Sequence, residues 1–278
     1  MPEPAKLHPK NHGFRWRPAR GPFKIISEAQ AHSFNQRGFF RLDSAIGRET
    51  IARITAAIDP LEAEVEQWLR KQPRGRMFIA QADGITFTTH LVKRSQTLRE
   101  FAASHLFADL CHDLIGPEAR LYWDQSVYKK GEYPKPFPWH QDNGYTYIEP
   151  QAYLTCWLAL TDATLENGCP WIAAGAHRRG TLAHRLTDLG YVCFEQDGPE
   201  AVAVPAKAGD IVVFSSLTPH RTGPNLTKSA RKTYILQYAP DGARVGGPQG
   251  APCDAADRQF RVLKGGVRVD PPPLSARV

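Results

Sequence analysis

Residues 201–239 read AVAVPAKAGDIVVFSSLTPHRTGPNLTKSARKTYILQYA, and short hydrophobic runs alternate here with turn residues. Gly209-Asp210 is one such turn signal, and Asp241-Gly242 is a second, one residue beyond the stretch. The chain contains five short β-branched or aromatic runs: Leu121–Tyr128, Tyr153–Thr161, Ala201–Val204, Asp210–Ser216 and Thr233–Ala239. Many short strands divided by turns are typical of a β-sandwich or barrel.

The N-terminal third has helical periodicity instead. Ser27 is a good N-cap for a helix through Gln36, which Gly38 would end before a short strand, Gly38–Leu42. The other predicted elements are a helix over Arg48–Arg70 that Pro60 kinks or splits, a strand or hairpin over Phe78–Val92 that turns at Asp83-Gly84, and a helix over Phe101–Ile115. The sequence therefore predicts a mainly β fold with α-helices packed on it.

Length and composition place the chain among ordinary globular proteins, with 278 residues, 42% hydrophobic and 23% charged. No apolar run approaches the roughly 18 residues that a membrane span needs, and the first residues lack the apolar core of a secretory signal. The five cysteines are odd in number and never spaced C-x-x-C, which favours reduced thiols. We therefore expect a cytoplasmic protein without a membrane partner.

The formal charge of +7 is concentrated at the two ends. Residues 1–24 carry six Lys or Arg against Glu3, and residues 242–278 carry six against three Asp, so residues 25–241 have a net charge of −1. We predict a basic flexible arm at 1–24, one domain at 25–241 and a Gly/Pro-rich tail at 242–278. A neutral body does not favour nucleic acid as a partner, and the arm is either solvated or closes on an anionic substrate.

His140 and Asp142 are the first candidate metal ligands. In an extended strand residues i and i+2 face the same side, so both side chains can reach one ion. His220 follows the run Asp210–Ser216 and is the third candidate. Two histidines and a carboxylate form the facial triad of non-haem iron(II) oxygenases, while zinc hydrolases also use this set.

Arg231 decides between these two classes of enzyme. It lies eleven residues after His220 at the start of the next predicted strand, and Thr233 faces the same side two residues later. An arginine buried beside a metal needs an anion, and a bidentate guanidinium with a neighbouring hydroxyl suits the far carboxylate of 2-oxoglutarate.

From Tyr122 to Ala239 the chain resembles the phytanoyl-CoA dioxygenase family of iron(II)/2-oxoglutarate oxygenases. The matching residues are Trp139-His140-Gln141-Asp142, Thr155-Cys156-Trp157-Leu158-Ala159-Leu160, Glu166-Asn167-Gly168, Gly175-Ala176-His177, Gly209-Asp210, His220 and Arg231, together with Gly38-Phe39-Phe40 near the N-terminus. The resemblance implies a double-stranded β-helix, also called a jelly roll or cupin-like core, buttressed by the N-terminal helices.

The resemblance also implies residue roles. It implies iron(II) ligands at His140, Asp142 and His220, a 2-oxoglutarate salt bridge at Arg231, and cosubstrate or substrate contacts at Trp157 and Gln125. The implied reaction hydroxylates an unactivated C–H bond while 2-oxoglutarate and O2 become succinate and CO2. Asp142 occupies the position that related halogenases leave without an acid, which favours hydroxylation, and His177 is expected to be structural.

The sequence indicates candidate substrate contacts but does not identify the substrate. Tyr128 and Tyr145 lie near the first ligands in sequence and are candidate pocket residues, and Arg178 and Arg179 form a candidate patch for an anionic small molecule. Two alternatives remain open: an oxygenase that acts on nucleic acid or protein, and a non-catalytic jelly-roll binding protein.

Overall fold

The structure is a computed structural model that describes residues 6–194 and 201–274. Its α-helices in this part of the chain are α1 (Glu28–Arg37), α2 (Arg48–Arg70), α3 (Gln96–Ala102), α4 (His105–Leu114) and α5 (Asp142–Tyr145). Short 3-10 helices cover Pro73–Gly75, Leu91–Lys93 and Ala176–Arg179. No helix in these ranges has the length and apolar character needed to cross a membrane.

The strands are β1 (Phe39–Leu42), β2 (Arg76–Met77), β3 (Ala80–Gln81), β4 (Ile85–Thr89), β5 (Ala119–Lys129), β6 (Phe137–His140), β7 (Ile148–Glu149), β8 (Leu154–Ala159), β9 (Pro170–Ala173), β10 (Arg185–Thr187), β11 (Gly190–Val192), β12 (Ala201–Ala203), β13 (Ile211–Ser215), β14 (His220–Thr222), β15 (Arg231–Pro240), β16 (Arg244–Val245), β17 (Ala251–Pro252), β18 (Arg261–Lys264) and β19 (Val267–Arg268). All five hydrophobic runs identified in the sequence form strands, with ends that differ by at most two residues.

Two antiparallel sheets form the core. The larger sheet has the strand order β1-β13-β8-β15-β5-β4-β3-β2, and the smaller sheet has the order β12-β9-β14-β6. The helices cover the outer face of the larger sheet, where α2, α3 and α4 contribute to its main hydrophobic cluster. This is the jelly roll with N-terminal helices that the sequence resemblance implies.

The pleat of the larger sheet separates its two faces. On β8, Trp157 and Ala159 face the smaller sheet and pack with its Ile172, whereas Cys156 and Leu158 face the helices. Successive side chains on a strand alternate between faces, and β15 and β5 are in register with β8. The face that Trp157 occupies therefore determines which residues of β5 and β15 can reach the space between the sheets.

Gly38 fixes the entry of the chain into the larger sheet. Helix α1 begins with the predicted cap, since the Ser27 hydroxyl accepts from the Gln30 amide and the Gln30 side chain accepts from the Ser27 amide. It ends at Gly38, which has φ +86°. A Cβ atom there would lie 2.5 Å from Thr218 Oγ1, so the close approach as well as the dihedral requires glycine.

Two of the predicted helices differ from the observed ones. Pro60 lies inside α2, which runs as one helix from Arg48 to Arg70 and is not split. The segment predicted as one helix over 101–115 is instead the end of α3 followed by α4. Ser104 marks the break, since it has the extended backbone of an N-cap before α4, while α3 begins earlier, where the Ser95 hydroxyl caps it.

The C-terminal segment is part of the fold rather than the loop-like tail that the sequence predicted from residue 242. Strand β18 pairs with β5 in the larger sheet. Phe260, Val262 and Leu263 are buried in the main hydrophobic cluster. Burial of these three side chains stabilises the fold. The composition of the segment did not predict this, because a four-residue strand changes a Gly/Pro-rich composition very little.

The described part of the predicted basic arm, residues 6–24, lies against the body. Leu7 forms a β-bridge with Leu182, and the buried Asn11 donates to the carbonyls of Arg179 and Thr181. Trp16 packs edge-on against His177. These polar and aromatic contacts hold residues 6–24 on the body, whereas the sequence predicted a flexible arm. Residues 1–5 lie outside the described residues.

Candidate active site

His140, Asp142 and His220 come together between the sheets. Their potential ligand atoms all lie within 4.8 Å of one another. Asp142 Oδ1 is 3.9 Å from His140 Nε2 and 3.8 Å from His220 Nε2. Two nitrogens and one carboxylate oxygen converging on one point are the donor set of a facial triad.

The backbone places the triad in a different way from the extended strand that the sequence argument assumed. Strand β6 ends at His140, Gln141 is still extended, and Asp142 begins α5. His140 pairs directly with His220 at the start of β14. One antiparallel pair therefore supplies both imidazoles, and the turn into α5 adds the carboxylate.

Each candidate ligand is oriented by a hydrogen bond to a neighbouring residue. The Nδ1 atom of His140 donates to the Pro138 carbonyl at 2.8 Å, and that of His220 donates to the Thr218 carbonyl at 3.0 Å. These bonds leave both Nε2 atoms free to bind a metal. The Thr155 hydroxyl donates to Asp142 Oδ2 at 2.6 Å. Burial lowers the pKa of His140 well below its usual value, so its imidazole is neutral and ready to bind a metal at neutral pH.

Gln141 lies between His140 and Asp142 and links them by hydrogen bonds to the segment that leads to His220. Its buried side-chain amide donates to the carbonyls of Gly180 and Leu217 and accepts from the Leu182 amide. Its backbone amide donates to His184 Nε2 at 2.9 Å. These bonds fix the segment that follows the 3-10 helix Ala176–Arg179 to the turn between His140 and Asp142.

Arg231 lies in the same cavity as the triad and is 1% exposed. Its Nη1 donates to Thr233 Oγ1 at 3.2 Å, and its guanidinium carbon lies 5.4 Å from the centre of the Trp157 ring. Its Nε atom has no hydrogen-bond partner within the described ranges. Desolvation by burial lowers its pKa to about 10, which still leaves it charged at neutral pH. The site therefore holds a buried cation that lacks an anion among the described residues.

A single cavity of about 660 Å³ joins these groups. Of the residues singled out in the sequence, Gln125, Tyr145, Trp157 and Arg231 line it together with the triad. The Gln125 side chain accepts from the Trp123 indole at 3.2 Å, and the Tyr145 ring packs edge-on against His140 at 5.3 Å. Thr233 does not line the cavity itself, but its hydroxyl accepts the hydrogen bond from Arg231 that orients the guanidinium.

The structure does not bring Tyr128, Arg178 or Arg179 to the cavity, which corrects those three predicted substrate contacts. Tyr128 faces the helices, where its hydroxyl donates to Asp59 at 2.7 Å, because the cavity side of β5 belongs to the residues of opposite parity. Arg178 and Arg179 are exposed, and Arg178 donates to the Gln36 side chain instead. Proximity in sequence to a ligand does not fix the direction of a side chain.

The sequence matched Thr155 to the family without giving it a role, and it did not identify Thr222 or Lys129. Thr155 orients Asp142, and Thr222 lines the cavity two residues after His220. Lys129 is fully buried opposite Arg231 in the β5–β15 register and donates to Thr222 Oγ1 and the Gly223 carbonyl. The position of Thr222, on the same face of a strand as His220, could have identified it, whereas Lys129 has the sequence context of a surface lysine.

The comparison with protein families agrees with this geometry. The family model for phytanoyl-CoA dioxygenase (PhyH) matches residues 34–233, which include all three triad residues and Arg231. The chain belongs to the phytanoyl-CoA dioxygenase family. It is thus a 2-oxoglutarate-dependent dioxygenase, and its His-Asp-His triad fits the iron of that enzyme class.

Relatives of this phytanoyl-CoA dioxygenase family member differ in how much of the chain they share. It is 32% identical over 102 residues to a phytanoyl-CoA dioxygenase of Arabidopsis thaliana, an alignment that covers 35% of this chain and 36% of the relative. It is 26% identical over 222 residues to a methylphosphonate hydroxylase of Gimesia maris, covering 77% of this chain and 80% of the relative.

Solved structures share the fold over most of the chain. EctD from S. alaskensis in its apo form superposes with a TM-score of 0.68 at 22% identity, covering 90% of this chain and 89% of EctD. EvdO2 from Micromonospora carbonacea var. aurantiaca, complexed with 2-oxoglutarate, has a TM-score of 0.63 at 25% identity, covering 83% of this chain and 97% of EvdO2. The jelly roll is therefore the family fold.

Proposed function

We propose that this family member hydroxylates an unactivated C–H bond of a small molecule, with iron(II) held by His140, Asp142 and His220 and 2-oxoglutarate held by Arg231. When bound, iron and 2-oxoglutarate supply the oxidative chemistry, in which 2-oxoglutarate and O2 become succinate and CO2. The observation that carries this proposal is a buried guanidinium, unpaired among the described residues, in the same cavity as a complete triad.

The donor set fits iron(II) better than it fits a closed structural metal. Three ligands on one side leave other positions of the ion free for the cosubstrate and O2. The ring orientation of both histidines is set by backbone carbonyls, and Thr155 holds Oδ2 of Asp142 so that Oδ1, near both Nε2 atoms, would be free to bind the ion. This pre-organisation is what a metal site requires of its neighbours.

Arg231 fits the distal carboxylate of 2-oxoglutarate. A charged hydrogen bond to a buried partner contributes about 1.5–3 kcal/mol, and a guanidinium can form two. Lys129 lies opposite Arg231, but burial and the Arg231 charge lower its pKa well below its usual value, so the favourable potential for an anion comes from Arg231. The Trp157 ring beside Arg231 keeps water from the pair.

Hydroxylation is the outcome we favour among the reactions of this enzyme class. Asp142 supplies an acidic ligand, and the family relative from Gimesia maris is named a hydroxylase. The role of the protein is then to place a substrate carbon against the metal and to keep water from the reacting groups. The Tyr145 ring lies against His140 and forms part of the wall on the substrate side.

The proposal is tested by succinate formation from 2-oxoglutarate with added iron(II), across a panel of neutral and acidic small molecules. We expect iron-dependent succinate, and one atom of isotopically labelled O2 in any product. Asp142→Ala should abolish both signals because one of three ligands is lost. Asp254→Ala, at an exposed site, is the control. Equal succinate from Asp142→Ala, or none from the wild-type protein, would contradict the proposal.

A further inference from the structure

The part of the cavity beyond the triad has no charged side chain to offer a substrate. Among the described residues that line the cavity, the ionised ones are Asp142 and Arg231, and the two histidines belong to the triad. Lys129 nearby is committed to Thr222 and the Gly223 carbonyl. In the sequence, the undescribed residues 195–200 contain neither Lys nor Arg. Once 2-oxoglutarate takes Arg231, an anionic substrate would have no cation to pair with among the described residues that line the cavity.

Aromatic side chains form the wall of this outer part in an unbroken series of contacts. The rings of Phe78 and Tyr191 meet at 6.4 Å, Tyr191 meets Tyr145 edge-on at 5.1 Å, and Tyr145 stacks with Phe137 at 6.5 Å. Both Phe137 and Tyr145 then contact the metal-ligand candidate His140. An apolar path thus runs from the surface to the triad.

Two hairpins frame the mouth of the cavity and leave apolar side chains uncovered there. Met77, the last residue of β2, and Phe78, in the turn before β3, are 47% and 51% exposed although both line the cavity. Phe78 has φ +50°, a left-handed conformation that is strained for an aromatic residue. The neighbouring hairpin, β10–β11, contributes Tyr191, whose ring contacts that of Phe78. Exposed apolar surface of this kind is stabilised when an apolar ligand covers it.

We infer that the substrate of this site is an uncharged, largely apolar molecule with a flat ring, which enters past the exposed Met77 and Phe78 and lies along the Phe78–Tyr191–Tyr145–Phe137 wall. The polar lining that remains, from Gln125, Gln237 and Thr146, is neutral and suits a hydroxyl or carbonyl group of the ligand. A buried unpaired carboxylate or phosphate would cost several kcal/mol of desolvation without compensation. This inference rests on the proposed function, because it assumes that 2-oxoglutarate occupies Arg231.

The test compares two ligands of the same shape that differ in charge. Calorimetric titration under nitrogen, on protein loaded with iron(II) and 2-oxoglutarate, measures the dissociation constants of 2-acetylnaphthalene and of 2-naphthoate. We expect 2-acetylnaphthalene to bind at least about tenfold more tightly, the ratio that about 1.4 kcal/mol of uncompensated desolvation produces. Methylphosphonate serves as a small-anion probe and should not bind.

A charge placed at the mouth gives a second readout. Met77→Lys should strengthen binding of 2-naphthoate by about three- to tenfold, and added salt should reverse that gain. Leu165→Lys introduces the same charge at an exposed leucine, which lies outside the cavity lining, and should change neither ligand's affinity.

The outcomes separate this inference from the proposed function. If 2-oxoglutarate itself fails to bind the iron-loaded protein in the same calorimeter, the proposed function is wrong. If it binds but 2-naphthoate or methylphosphonate binds as tightly as 2-acetylnaphthalene, or the neutral ligand does not bind up to its solubility limit, the inference about the substrate is wrong and the proposed function stands.

Discussion

Arg231 carries its charge where water scarcely reaches, and its only side-chain hydrogen bond in the described structure is to Thr233. Burial alone works against the guanidinium and lowers its pKa to about 10. A buried charge of this kind is costly unless an anion pairs with it. The cost is understandable if the carboxylate of 2-oxoglutarate supplies that partner.

Arg231→Gln should therefore weaken 2-oxoglutarate binding by ten- to a hundredfold, which corresponds to about 1.4–2.8 kcal/mol for a charged hydrogen bond. Iron(II) affinity should change little, because the triad is untouched. Titration of 2-oxoglutarate into the iron-loaded protein measures the first quantity. Arg178→Gln, at an exposed arginine outside the cavity lining, is the control, and an unchanged 2-oxoglutarate affinity in Arg231→Gln would refute the proposed carboxylate clamp.

Thr155 is the second residue whose role can be isolated. Thr155→Val keeps the shape of the side chain but removes the hydroxyl that donates to Asp142 Oδ2. We expect iron(II) affinity to fall by about 10–100-fold, as for other groups that orient metal ligands. Thr86→Val is a matched control, since Thr86 is also buried and also donates to a carboxylate, that of Glu62. Equal effects of the two substitutions on iron affinity would contradict a positioning role for Thr155.

At the scale of elements, the N-terminal segment and α1 close over His177. This imidazole is fully buried, its Nε2 donates to the Asn35 carbonyl at 3.3 Å, and Trp16 packs against its ring. Burial is the main cause that lowers its pKa to about 4, and the Arg178 charge adds to the effect. His177 is therefore neutral in the folded protein under conditions where the unfolded chain already protonates it.

The free energy of unfolding should consequently fall as the pH drops from about 6.5 toward 4. In that window the unfolded chain binds a proton at residue 177 that the folded protein does not bind. The stability is fully present above pH 6.5, and His177 contributes about 1–3 kcal/mol to the loss. His177→Gln should flatten this dependence in urea denaturation. The flattening should be partial, because burial also lowers the pKa values of His90 and His184 to about 4.

His12→Gln, at an exposed histidine, should leave the pH dependence as it is in the wild-type protein. If His177→Gln lost as much stability between pH 6.5 and 4 as the wild-type protein does, His177 would not be one of the groups responsible.

At the scale of the whole molecule, the C-terminal segment completes the larger sheet. A chain that ends at residue 241, the boundary that composition predicted, would lose β18 and the buried Phe260, Val262 and Leu263. Removing three buried side chains costs several kcal/mol, which is comparable with the whole stability of a domain. We expect this truncated chain to be unfolded by circular dichroism, whereas a chain that ends at Leu274 should fold; a folded chain of 241 residues would contradict the structure.

The sequence predicted the site better where residue type and spacing were restrictive. His140, Asp142, His220 and Arg231 could be identified because few functions need those side chains in that order. Tyr128 was assigned to the pocket wrongly, because a shift of one residue along a strand reverses the face and the sequence alone does not fix the parity.

Other features escaped the sequence for lack of local signal. Lys129 was missed because nothing near it distinguishes a buried lysine from an exposed one, and β18 because four residues among glycines and prolines carry little periodicity. The contacts of residues 6–24 depend on Asn11 and Trp16 finding partners that are more than 150 residues away in sequence. Such long-range contacts follow from the tertiary fold alone.

The central claim is that one cavity binds both iron(II) and 2-oxoglutarate through the triad and Arg231. The most direct measurement is an anaerobic absorption titration of the purified protein with iron(II) and then 2-oxoglutarate, without any substrate. We expect a weak visible charge-transfer band that saturates with one 2-oxoglutarate per protein and that is absent in His220→Ala. No band at saturating 2-oxoglutarate, or an equal band in His220→Ala, would contradict it.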